Sequence, residues 1–234
     1  MSASATQQRQ QDVNYVRSNP AGNSPFIARS YAINDWTTMR NLYDEWAHQY
    51  DNDVLVSEKY TAPKLAAETV VSTVANRRGS DDVIGELKTL DAGCGTGLVG
   101  VELAALAAKN IDGLDLSPGM LGVARKIGAY DDLVEADLTK PIGKDEGYYD
   151  VVTCVGIFTK SHVLSSALND LIRVVKKGGL VVATVLDSIW VSDGFEAEVR
   201  QLGGSGKVKV LGTDWFGYRV ASSAGARMVV LEKS

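Results

Sequence analysis

The sequence predicts an α/β fold with a mostly parallel sheet, and three observations carry that reading. From Lys88 onward, short apolar runs alternate with amphipathic ones, the pattern of strands joined by crossover helices. The runs at 151–155 and 180–186 are nearly continuous in Val, Leu and Ala, as strands covered on both faces should be. The tail breaks the alternation: two short strands, 207–211 and 228–231, flank a Gly/Asp/Trp-rich turn and place an antiparallel edge on the sheet.

Each element has its own warrant. Residues 1–30 are polar and rich in Gln, Ser and Asn, with too little apolar surface to offset ordering, which predicts a flexible N-terminal arm. Residues 31–234 then form one domain. Asn34 or Asp35 is placed to N-cap a helix whose apolar positions are Trp36, Met39, Leu42, Tyr43 and Trp46, ending near Tyr50. A second helix has Pro63 in its first turn and Leu65, Ala66, Val70, Val71 and Val74 on its buried side. Neither can bury its apolar stripe alone, so residues 34–78 are predicted as a helical lid ahead of the sheet. Strands at 88–91, 111–115, 133–136, 151–155 and 180–186 alternate with helices at 98–108, 118–127 and 165–175. Gly178-Gly179 breaks the chain before the fifth strand, and a helix over 195–202 leads to the tail. With the two tail strands this makes a seven-stranded sheet.

The chain has 234 residues, 45% of them hydrophobic and 23% charged, enough to bury a sizeable core. Its formal net charge of −5 argues against a nucleic-acid backbone as partner. Cys94 and Cys154 fall at strand ends, so no disulfide scaffold is expected. The two histidines, His48 and His162, form no zinc-like spacing with them, so no metal site is expected either. No apolar run follows Met1 and no window approaches a membrane span, which predicts a cytoplasmic protein without a membrane partner.

Four landmarks carry chemistry. The first is 90–97, where a strand enters a turn containing Gly93, Cys94, Gly95 and Gly97 and a helix leaves it. Glycines there permit positive φ and close approach of a ligand to backbone. A dinucleotide fingerprint would need glycine at position 98, which is leucine, so the turn favours a nucleoside without a pyrophosphate over NAD. The second landmark is Asp115, 20 residues beyond Gly95, whose two carboxylate oxygens can accept both ribose hydroxyls or the N–H groups of the next helix. Third is Asp137-Leu138, where a carboxylate and a backbone N–H could meet an adenine edge. Fourth, the strand ending near Val155 runs into a loop bearing His162, on the side of the sheet where a reacting group would sit. Each landmark also has a plain structural reading: a tight turn, a helix-start carboxylate, an exposed strand end, an ordinary polar loop residue.

Together the stretches 90–97, 113–117, 136–138, 149–152 and 173–179 resemble the class I S-adenosylmethionine-dependent methyltransferases, over roughly residues 88–186. The segment 42–54 and the loop 156–163 are similar to the Williams–Beuren-region methyltransferase-like group, and small-molecule enzymes of secondary metabolism share the layout. The resemblance implies a Rossmann-like methyltransferase fold with S-adenosylmethionine as cofactor and S-adenosylhomocysteine as product. It implies that Gly93, Cys94 and Gly95 approach the methionine part. Asp115 and Leu116 would hold the ribose, with Met120 beside the adenine. Asp137 and Leu138 would meet the adenine edge, and the Val155 backbone the amino-acid part. Trp46 and Tyr50 become candidates to cover the cofactor, or else core anchors of the lid.

The activity this predicts is methyl transfer to an O, S or N atom of a small molecule, with His162 as the candidate base; the alternative is a non-catalytic partner subunit of the same fold. The acceptor pocket should be walled by the N-terminal helices and the loops 157–163, 187–195 and 213–218. Trp190, Phe195, Trp215, Phe216 and Tyr218 in the last two suit an apolar or aromatic acceptor, or simply cover a sheet edge. A monomer or homodimer is expected.

Overall fold

The computed structural model describes residues 24–33, 35–78, 82–160 and 163–234. Seven strands form one sheet: β1 (Lys88–Ala92), β2 (Asn110–Asp115), β3 (Asp132–Glu135), β4 (Tyr149–Phe158), β5 (Val175–Leu186), β6 (Val208–Arg219) and β7 (Ala224–Lys233). Their order is β3-β2-β1-β4-β5-β7-β6. The first five are parallel, and β7 runs antiparallel between β5 and β6. This is the mostly parallel sheet with an antiparallel C-terminal edge that the alternation predicts. Leu90, paired with Asp112 on one side and Val152 on the other, is fully buried at its centre.

The helices described are α1 (Pro25–Ser30), α2 (Trp36–Trp46), α3 (Ala62–Arg78), α4 (Leu98–Ala105), α5 (Pro118–Ile127), α6 (Ala167–Val174), α7 (Asp187–Trp190) and α8 (Phe195–Gly204). A π-helical turn, Asn52–Ser57, follows α2. Asp35 N-caps α2, its side chain accepting the Thr38 N–H at 2.8 Å; Asn34 lies outside the described residues.

Several boundaries differ from the sequence reading. The arm expected over 1–30 gives way at residue 24: Ser24 caps α1, Ile27 is buried, and Phe26 stacks on Trp46 with ring centroids 5.2 Å apart. The rest of the arm lies outside the described residues. The two helices of the expected lid pack in different places. Helix α3 packs against α4 and over β4 and β5, with Ala66, Ala67 and Val70 fully buried, so it belongs to the helical layer of the sandwich. Its alanines permit that close approach to the sheet. Helix α2 packs against α5 at the open end of the sheet.

Helix α4 ends at Ala105 instead of 108, because Ala107 takes φ +72° and the Ala108 N–H returns to the Leu103 carbonyl. The loop expected over 187–195 begins with α7. The loop expected over 213–218 is strand, since Gly212 and Gly217 sit at register shifts of β6 rather than at a reversal. Trp215 there lies across Gly225, where an added Cβ would overlap the indole.

Candidate cofactor site

In the order β2-β1-β4 the crossover direction reverses at β1, and such a sheet opens a crevice beyond its strand ends at that point. Gly93 follows β1. Its N–H and that of Cys94 both donate to the Leu114 carbonyl, at 2.7 and 2.9 Å, which clips the turn to β2. Gly93, Gly95 and Gly97 have φ of +78°, +55° and +102°, the region that disfavours a side chain. Gly93 also lies against β4, where an added Cβ would overlap the Ile157 side chain. At Gly95 an added Cβ meets nothing within 4 Å. The first glycine is needed for packing, the second for open room against the cleft.

The space in and before that cleft is about 760 Å³, part of it open to solvent. Gly93, Gly95, Asp115, Leu116, Met120, Asp137, Leu138 and Val155 line it, joined by Tyr50 from the segment after α2. The sequence reading therefore brings nine of its cofactor residues to one place. Two it does not. Cys94 is buried beneath the turn, its thiol pushed well up by burial. Trp46 is 2% exposed and anchors α2 from behind: its Nε1 donates to Asp53 Oδ2 at 2.9 Å, and its ring contacts Phe26, Tyr43 and Tyr50. His162 lies outside the described residues.

Residues not named as cofactor contacts also line the cleft: Trp36, Met39 and Tyr43 from α2 and Ile157 and Val163, from elements expected to wall the acceptor pocket, and Ala136 and Gly156, which were not named. The α2 side chains were legible as an apolar stripe, but a stripe does not say whether it meets a core or a cavity.

Asp115 ends β2 with its carboxylate fully engaged on one side. Oδ2 accepts the Gly95 N–H at 2.8 Å and Oδ1 the Ser117 N–H at 2.9 Å. Burial raises its pKa against these bonds, with Asp44 adding to the rise. An ionised carboxylate has about four lone-pair sites, and the N–H groups of Gly95, Ser117 and Leu116 do not use them all. At Asp137, burial opposes ionisation. The Thr139 hydroxyl and N–H and the Lys140 ammonium overcome it and hold the carboxyl below its usual range.

Two carboxylates of the N-terminal segment hook onto this frame. Asp44 Oδ1 accepts the Ser117 hydroxyl at 2.5 Å and the Gly119 N–H at 2.8 Å, and Gly119 leaves no room for a Cβ against Asp44. Asp51 Oδ1 accepts the Thr96 hydroxyl at 2.5 Å. These three bonds tie the N-terminal segment to the glycine turn and to the start of α5.

S-adenosylmethionine fits these groups. Asp115 would hold the ribose, Asp137 and the Leu138 N–H the adenine edge, and Leu116, Met120 and Leu138 the faces of the base. The glycine turn and Val155 would receive the amino-acid part. The open room at Gly95 and the unused acceptor sites of Asp115 are what such a ligand requires.

Fold, glycine turn and the carboxylates Asp115 and Asp137 are those of the class I S-adenosylmethionine-dependent methyltransferases, and S-adenosylmethionine is the cofactor these groups fit. Residues 90–183 match the family model described as a methyltransferase domain. The chain is 35% identical over 159 residues to human methyltransferase-like protein 27, covering 68% of this chain and 62% of that one. It is 29% identical over 147 residues to the demethylmenaquinone methyltransferase of Chlorobaculum parvum, covering 61% of this chain and 57% of that one. The chain thus spans about three-fifths of the length of these curated relatives. Among solved structures it is similar to magnesium protoporphyrin IX methyltransferase of Synechocystis PCC 6803 with bound SAM. There the TM-score is 0.62 at 20% identity, covering 86% of this chain and 98% of that one. Among the described residues no helix is long and apolar enough to cross a membrane.

Proposed function

We propose that the chain transfers the sulfonium methyl of S-adenosylmethionine to an O, S or N atom of a small molecule. The observation that carries this is the lining of the cleft: α2 and Tyr50 share it with Asp115 and Asp137, and the hooks at Asp44 and Asp51 hold this segment to the glycine turn and to α5. Methyl transfer is an in-line displacement, favoured by holding the nucleophile close and excluding water. A wall of Trp36, Met39, Tyr43 and Tyr50 suits an apolar or aromatic acceptor better than a polymer backbone. Relatives named as demethylmenaquinone and ubiquinone-biosynthesis O-methyltransferases support a small ring-bearing acceptor. A cytoplasmic monomer or homodimer in secondary metabolism completes the reading.

The test is to incubate the protein with a cell extract and methyl-labelled S-adenosylmethionine and read the products by mass spectrometry. A labelled small molecule is expected; label confined to protein or nucleic acid would overturn the reading. His162, from its place after β4, is proposed as the base where the acceptor must lose a proton. On a hydroxyl acceptor, His162→Ala should then lower turnover by about 10²–10⁴-fold with cofactor affinity retained. Wild-type turnover on such an acceptor would remove His162 from the mechanism.

A further inference from the structure

Between the pairs Cys154–Ala183 and Phe158–Val185, β4 carries three residues, Val155, Gly156 and Ile157, where β5 carries one, Thr184. The extra residues make a bulge, and Gly156 at its centre takes φ +83°. All three bulged residues line the cofactor cleft. Gly156 also lines an adjoining cavity, which shares Tyr43 and Tyr50 with the cleft. Thr184 lines neither. It is 1% exposed, with Met228 of β7 paired to it on the side away from β4. In the run 180–186 it is the one polar side chain among Leu, Val and Ala. Its hydroxyl oxygen accepts the Gly156 N–H at 3.0 Å.

We propose that Thr184 is a positioning residue for the cofactor: by holding the Gly156 N–H, it aims the Val155 carbonyl at the α-ammonium of S-adenosylmethionine. The inference rests on the methyltransferase reading above, with the amino-acid part of the cofactor at Val155, and adds the residue that sets up this contact from outside the cleft.

The Val155 carbonyl and the Gly156 N–H belong to one peptide unit. That unit is planar and trans, so the two groups point in opposite directions. Strand β5 lies on one side of β4 and β1 on the other. An N–H turned toward Thr184 on β5 therefore turns the Val155 carbonyl toward the β1 side. There the pairing of β4 with β1 has ended at Asp91–Thr153, and β1 itself ends at Ala92. The glycine turn follows, with Gly93 against Ile157. Its N–H groups are engaged elsewhere: those of Gly93 and Cys94 go to the Leu114 carbonyl, and that of Gly95 to Asp115. The carbonyl thus faces the glycine-turn end of the cleft as an acceptor. An ammonium is the ligand group that suits an acceptor; a carboxylate is not. Holding this end matters for transfer, because the sulfur lies between the adenosine and the amino-acid part, and its methyl is aimed only when both are fixed.

The experiment is calorimetry on the full chain with two probes, S-adenosylhomocysteine and methylthioadenosine. The second has the same nucleoside and thioether sulfur but no amino-acid part. Thr184→Val keeps the branched shape and removes the acceptor. It is expected to bind S-adenosylhomocysteine at least about 10-fold more weakly than the wild type does, the worth of one hydrogen bond to a charged group. Its affinity for methylthioadenosine should be unchanged. Thr184→Ser keeps the hydroxyl and should restore most of the loss. Equal losses for the two probes would make Thr184 a merely structural residue and overturn the proposal. So would undiminished binding of S-adenosylhomocysteine, or a Thr184→Ser variant as weak as Thr184→Val. Should Thr184→Val not fold, the wild type decides by amide exchange. S-adenosylhomocysteine should then slow exchange of the Gly156 N–H where methylthioadenosine does not, and equal protection by both overturns the assignment. All of these outcomes leave the methyltransferase reading intact; failure of the wild type to bind S-adenosylhomocysteine overturns both.

Discussion

Asp115 Oδ2 accepts the Gly95 N–H at 2.8 Å, so the carboxylate that ends β2 and the glycine turn after β1 hold each other directly. The same carboxylate that fixes the turn lines the cleft, and we propose that it also holds the ribose. Asp115→Ala should lose the hydrogen bonding to the ribose, about 1.5–3 kcal/mol in all, so that S-adenosylmethionine binds roughly 10- to 150-fold more weakly. Calorimetry reads this, and undiminished affinity would show that the ribose is held elsewhere.

The two glycines of the turn should respond differently to alanine. At Gly93 the new Cβ would overlap Ile157 with φ at +78°, so Gly93→Ala should destabilise the fold itself, by about 2–4 kcal/mol from overpacking and backbone strain together. At Gly95 nothing lies within 4 Å and φ is +55°, so Gly95→Ala should cost only the strain, about 1–2 kcal/mol. Its larger effect should fall on cofactor binding, because the methyl enters the room a ligand would use. Urea unfolding set beside cofactor titration separates the two. Matching losses of stability in both variants would contradict the distinction.

How much of the fold and site was legible in the sequence depends on the range of the interactions. The sheet was readable because apolar runs and turn residues are local signals, and the spacing from Gly95 to Asp115 is set by one crossover. Trp46 was misplaced for a complementary reason. An aromatic at helical spacing reads alike as a cofactor cover or a core anchor, and the choice here was made by Asp53 and Phe26, its partners at 2.9 and 5.2 Å. The tail aromatics went the same way. Trp190 and Phe195 are core, Trp215 lies across Gly225, and only Tyr218 of the five reaches either cavity. Arg219 carried no local signal at all: it is buried where β6 returns beside the segment 58–61, through the Tyr60–Arg219 bridge.

The hook at Asp44 should set how long the cofactor stays. Its Oδ1 holds both the Ser117 hydroxyl and the Gly119 N–H, joining α2 to α5 across the cleft mouth. Asp44→Ala removes an acceptor shared by two bonds, while Ser117 keeps its capping bond to the Met120 N–H. At about 1.5–3 kcal/mol, cofactor dissociation should speed up roughly 10- to 150-fold with a smaller change in association. Stopped-flow displacement measures both rates. An effect confined to association would mean that the hook does not govern opening.

Asp91 makes stability depend on pH in an unusual direction. It is fully buried beneath the glycine turn, with Oδ2 accepting the Tyr130 hydroxyl at 2.8 Å and Oδ1 the Thr153 hydroxyl at 3.0 Å. Burial outweighs these bonds and raises its pKa from 3.8 to about 6. Between those values the folded chain holds a proton that the unfolded chain has released, so stability falls as pH rises through the window. Above about pH 6 the ionised group costs on the order of 3 kcal/mol, a penalty absent in acid. Asp91→Asn cannot ionise, and its amide can still accept one hydroxyl and donate to the other. The unfolding free energy of the variant minus that of the wild type should therefore move in the variant's favour as pH rises from about 4.5 to about 7.5, whatever its value at one pH. Urea titrations across that range give the difference directly, with the other carboxylates cancelling. A difference that stays flat, or drifts toward the wild type, would mean that the Tyr130 and Thr153 bonds outweigh burial and that Asp91 is an ordinary stabilising anion.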